Sequence, residues 1–224
     1  MKKIIVSALC VLSLVLVAEE KFDVVFEASA MQMPMELGFS NNGYKLTKFD
    51  VPGYCGLIPD GDKTVLYMDN SDTRGKWNSF SKLFENTDWQ SFTADVKIAI
   101  IGEGDKPQFS LSMVFKDERR VNKNCFISVS FGKKFIQLGG LKFPFEFGDN
   151  YKSLRIVGDK NRNKFFVYDM DNGGREIGNF VFMKGDVSQK VGYVCFGDGS
   201  SGVEGKAKLE YIKFAFDQTY YPVK

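Results

Sequence analysis

Beyond its first eighteen residues the chain alternates. Phe92, Ala94, Val96, Ile98 and Ile100 fall on one side, with Ser91, Thr93, Asp95 and Lys97 between them. Phe109, Leu111, Met113 and Phe115 repeat the pattern against Ser110 and Ser112, and Cys125, Ile127, Val129 and Phe131 repeat it against Ser128 and Ser130. A period of two is the mark of a strand with one face buried, because successive side chains point to opposite faces. Further strands are predicted at 22–26, 44–49, 64–68, 77–84, 135–138, 154–156, 165–170, 180–182, 191–196 and 207–216, with 77–84 placed at a sheet edge. The stretch 165–170 is apolar on both faces, which predicts a central position. Asp171-Asn172-Gly173-Gly174 supplies the turn after it, since Asn and Gly tolerate positive φ. The alternation slips at Tyr211-Ile212, which predicts a β-bulge. Helical periodicity is almost absent.

About a dozen short strands and 22 phenylalanines require two packed layers, because a single open sheet would leave one apolar face in water. With no long linker, low-complexity tract or internal repeat, 19–224 reads as one domain. Residues 1–18 are set apart: Lys2 and Lys3 precede an apolar run from Ile4 to Val17, and Ala18 precedes Glu19. This predicts a secretory signal cleaved after Ala18 and a secreted, periplasmic or cell-surface protein. The competing reading is an uncleaved anchor, but the run is shorter than the roughly 18 residues a span needs. No later segment could cross a bilayer, so no membrane insertion of the mature chain is expected.

Removing that leader takes Lys+Arg from 30 to 28, against 28 Asp+Glu. A formally neutral chain lacks the basic excess that phosphate backbones demand, so nucleic acid is not an expected partner. There is no histidine, which excludes Ser-His-Asp and Cys-His catalysis and His-ligated metals. Cys55, Cys125 and Cys195 remain after the leader. They allow one disulfide and a leftover thiol, or three buried thiols behaving as small hydrophobes, and the second is favoured. Zinc is not expected without a CxxC pair.

The closing segment, Phe196-Gly197-Asp198-Gly199-Ser200-Ser201 followed by Ala207-Lys208-Leu209-Glu210-Tyr211-Ile212, resembles the final hairpin of concanavalin A-like jelly rolls, and most of all the laminin-G-like domains of secreted bacterial proteins. Leu66-Tyr67-Met68-Asp69, Ser79-Phe80-Ser81-Lys82, Trp89, 151–157 and 165–169 follow in the same order, so the resemblance spans about 60–216. It implies an all-β fold, a two-sheet antiparallel jelly-roll sandwich. It also implies sugar-binding, protein-adhesion or glycoside hydrolase relatives, many with calcium at the rim.

Asp198, between two glycines, is the candidate metal ligand, for a structural Ca2+ helped by loop carbonyls; the competing role is an ordinary turn aspartate. Asp169, Asp171 and Asn172 are a weaker oxygen cluster. Trp77, flanked by Asp72 and Arg74 in a polar loop, is the candidate sugar platform, unless it folds back on the sheet. Tyr54 and Tyr44 carry the same choice. Trp89 is assigned to the core. Hydrolase members of the family carry carboxylates side by side on one strand, and the nearest pairs here, Glu204 with Glu210 and Asp169 with Asp171, lack that arrangement. The expectation is therefore a non-catalytic, lectin-like recognition module whose partner is a glycan or an extracellular or cell-surface protein. The alternatives are a glycoside hydrolase using a carboxylate pair and a structural or adhesion domain.

Overall fold

The computed structural model describes residues 19–47, 51–71, 78–84, 89–102, 105–116, 124–148, 150–185, 192–197 and 205–223. They form sixteen strands: β1 (Val24–Glu27), β2 (Ser40–Asn42), β3 (Cys55–Asp60), β4 (Lys63–Asp69), β5 (Ser79–Phe84), β6 (Ser91–Ile100), β7 (Phe109–Lys116), β8 (Asn124–Gly132), β9 (Phe135–Leu138), β10 (Leu141–Pro144), β11 (Lys152–Asp159), β12 (Lys164–Asp169), β13 (Arg175–Val181), β14 (Met183–Gly185), β15 (Gly192–Gly197) and β16 (Lys206–Phe216). The first sheet runs β13-β12-β11-β6-β16-β4-β3, with β1 also on β16; the second runs β10-β9-β8-β7-β15-β5-β2, with β14 also on β8. Every strand pair is antiparallel. The jelly-roll sandwich implied by the sequence is the architecture found.

The alternating apolar positions meet between the sheets. Phe196 is the hub, with the rings of Phe26, Phe39, Phe80 and Phe109 centred 6.5, 5.3, 5.5 and 6.4 Å away. Each such buried ring contributes about 1.5–3 kcal/mol relative to exposure. Trp89 joins the core as expected, stacked on Phe216 at 3.8 Å and 7°. Cys55, Cys125 and Cys195 are all buried free thiols. Among the described residues no helix is long and apolar enough to cross a membrane.

Several expectations are corrected. The strand within 77–84 is no edge: β5 lies between β15 and β2. β12 is not central but one strand from an edge. Its outer face is apolar because Tyr221, from the C-terminal segment, packs edge-on against Phe166 and Tyr168. In 44–49 the described residues form no strand; Lys45 makes a single parallel bridge to Tyr54. β3 and β10 escaped the sequence reading because they carry Pro59 and Pro144 and little alternation. Both are edge strands, where a missing N–H breaks no ladder. The bulge is present: Leu209 faces Ile98 and Tyr211 faces Lys97, leaving Glu210 as the extra residue.

Candidate functional site

The two sheets differ in one chemical respect. Each strand of the first sheet carries one carboxylate: Glu27, Asp60, Asp69, Asp95, Asp159, Asp169, Glu176 and Glu210. No strand of the second carries any.

The outer face of the first sheet is occupied by its own charges. Glu210 accepts from Lys63 and Lys97, both at 2.8 Å. Burial pushes its carboxyl up, but the hydrogen bonds from the two lysines outweigh this and leave it below the usual carboxylate range. Asp60 accepts from Lys208 at 2.7 Å and from the Tyr151 hydroxyl at 2.5 Å, and these bonds lower its carboxyl. Burial, with the Asp60 bond next, pushes the Tyr151 phenol up. Arg155, 5% exposed, makes two-pronged contacts with Asp95 and with Glu20. The C-terminal segment then crosses this face: Thr93 Oγ1 donates to the Gln218 carbonyl and accepts from the Tyr220 N–H. These carboxylates are structural, each held by a cation.

The second sheet presents hydroxyls and amides. Its outer positions fall in rows by strand register. One row reads Ser40, Ser81, Cys195, Ser112 and Ser128. The next reads Asn42, Ser79, Gly197, Ser110, Ser130 and Gln137. A third is apolar: Leu83, Tyr193, Val114 and Phe126. Ser79, Ser110, Ser112, Ser130, Cys195 and Gly197 are buried, Ser81, Ser128, Tyr193, Phe126 and Gln137 half-buried, and Ser40, Asn42 and Leu83 exposed. A row across five strands spans about 19 Å. Some of its groups are already oriented: Asn42 Nδ2 donates to Ser81 Oγ at 2.8 Å, and Ser110 Oγ to the Gly197 carbonyl at 3.1 Å. Hydroxyls donate and accept at once, so the rows match a ligand whose surface is itself hydroxyls.

Gly197 closes this wall, at φ +115° with the Tyr44 hydroxyl where a Cβ would stand. Tyr44 is a core residue: its ring stacks on Phe80 at 5.1 Å and its hydroxyl donates to Asn70 Oδ1 at 2.7 Å. Tyr54 is 8% exposed and tilted against Tyr67 at 6.1 Å. Asp72, Arg74, Trp77 and Asp198 lie outside the described residues, as does Glu204. Asp169 and Asp171 diverge: Asp171 accepts from the Ser153 N–H at 2.9 Å, while Asp169 turns inward and accepts from Asn172. Among the described residues no three acidic or cysteine side chains gather where a metal ion could be held. Burial pushes the Cys55 thiol well up, so it holds little reactive thiolate. The serine rows were visible as the polar half of each alternation, but the register that assembles them was not.

No known family description matches the chain, nor does any curated protein. Solved structures of similar shape are found. One is the carbohydrate esterase of Shiga toxin-encoding bacteriophage phi24B, 10% identical, with a TM-score of 0.62 over 88% of this chain and 99% of that one. The T. cruzi calreticulin globular domain is 9% identical, with a TM-score of 0.48 over 88% and 89%. The metal-free lectin I-B4 of Griffonia simplicifolia is 12% identical, with a TM-score of 0.43 over 73% and 92%. The likeness to the esterase shows a shared fold.

Proposed function

We propose that this chain is an exported carbohydrate-recognition module that docks a neutral sugar chain along the outer face of the second sheet. The observation that carries the reading is the partition of charge: eight strands without a carboxylate line up serine, asparagine and glutamine, of which Ser40, Asn42, Ser81, Ser128 and Gln137 reach solvent beside Tyr193 and Phe126. Sugar hydroxyls pair with such groups, and the C–H face of a sugar ring lies against an aromatic margin. The carbohydrate esterase of similar fold supports carbohydrate as the ligand class. Ser-His catalysis is excluded, because this chain has no histidine. The apolar leader supports export.

Affinity electrophoresis of the mature chain through gels containing neutral polysaccharides, with and without a calcium chelator, tests the proposal. Retardation by at least one neutral polymer is expected. Free migration through all of them, in both conditions, rejects it.

A further inference from the structure

At the edge of the sandwich, away from the serine rows, a cleft of about 540 Å³ is built by residues of both sheets. Lys134 enters from the β8–β9 turn and Glu146 from just beyond β10; Lys152 opens β11, Asp169 closes β12, and Arg175 opens β13. The volume suits one or two sugar residues.

Two features set this cleft apart. Lys134, Lys152 and Arg175 form no ion pair among the described residues, although Lys63, Lys97, Lys208, Lys213 and Arg155 on the first sheet all do. Asp169 is 1% exposed, and its Oδ1 is buried without a hydrogen bond, while Asn172 donates to its other oxygen. A buried carboxylate oxygen without a donor is unfavourable, and a ligand donor relieves that. Asp169 and Arg175 face each other across the β12–β13 pair, so acceptor and cation lie on one face of the sheet.

A ligand donor suited to Asp169 would not be an ammonium, because three cations outnumber the one further carboxylate, Glu146, in the same space. A neutral hydroxyl fits, on a molecule that also brings an anion to the lysines and the arginine. A guanidinium receives a carboxylate through two parallel hydrogen bonds. We infer that the cleft binds an acidic sugar of the hexuronic acid class, its carboxylate on Arg175 and Lys152 and a ring hydroxyl donating to Asp169. This site is separate from the serine rows and does not depend on the proposal made for them.

Isothermal titration of the mature chain with trigalacturonate and with its methyl ester tests the inference. The acid should bind at least tenfold tighter than the neutral ester. In the double variant Lys152→Gln/Arg175→Gln that preference should vanish with the melting temperature unchanged, while Asp169→Asn should weaken acid and ester alike. Tyr193→Ala, on the second sheet, should leave binding of the acid intact. Equal affinity for acid and ester, no binding of either, or an undiminished preference in the double variant overturns the inference. So does competition by inorganic sulfate as strong as that of the oligosaccharide, which would mean a bare anion site.

Discussion

At the residue scale, Arg155 shows how charge is used on the first sheet. Its guanidinium is buried, and both oxygens of Asp95 and of Glu20 receive its N–H groups at 2.6–2.7 Å. Removing the cation strands Asp95, whose side chain is only 15% exposed. Arg155→Ala is therefore expected to lower unfolding free energy by about 3 kcal/mol in urea denaturation. Glu20→Gln, at a partner 38% exposed, should cost less than about 1 kcal/mol. Equal losses would show that the outer salt bridge matters as much as the inner. Glu210 makes a pH prediction. Its folded carboxyl titrates lower than an unfolded one, so between those two values the unfolded chain binds more protons. Its contribution is complete above the unfolded value and is lost as pH falls through the folded one. Lys63→Met/Lys97→Met should lower stability at neutral pH, where the contribution is complete, and flatten the stability–pH curve below about pH 4.3. A curve of unaltered shape would contradict the assignment.

At the scale of the element, the bulge of β16 decides which residues face inward. Ala207 and Leu209 on one side of Glu210, and Ile212 and Phe214 on the other, are all buried, which a strand of unbroken period two could not achieve. Deleting Glu210 would join Leu209 directly to Tyr211, an unbroken alternation that keeps both apolar halves on the core face. The variant is expected to keep a cooperative thermal transition, losing only the contacts of Glu210 with Lys63 and Lys97. Loss of the transition would mean that the bulge itself, and not the phase of the two halves, holds the register. This bulge was legible in the sequence, because its two halves each alternate and disagree in phase. So were the long central strands β6, β7 and β8, whose apolar halves meet the core. The edges were not. β3 and β10 carry prolines, and β2 and β14 span three residues each, so local pattern says little and pairing decides. The apolar outer face of β12 misled for a related reason: Tyr221, fifty-odd residues away in sequence, supplies the cover.

At the scale of the whole molecule, function follows from how the sheets divide their chemistry. The first sheet pairs Asp60, Asp95 and Glu210 on its outer face with its own cations and is crossed by the C-terminal segment, so that face is spent on stability. The second keeps small hydroxyls in register on β2, β5, β7 and β8, and its charged side chains are lysines alone. Sequence reading saw Ser110, Ser112, Ser128 and Ser130 only as the solvent side of two strands. Their assembly with Ser79, Ser81 and Gln137 depends on the strand order β9-β8-β7-β15-β5, which no local pattern encodes. The most direct measurement is retardation of Tyr193→Ala and Ser112→Val/Ser128→Val in a gel of whichever neutral polysaccharide slows the unaltered chain, with Lys63→Ala/Lys97→Ala as the control on the other sheet. The second-sheet variants should migrate freely while the control stays retarded. Retarded second-sheet variants beside a freely migrating control would contradict the assignment and move the recognition surface to the first sheet.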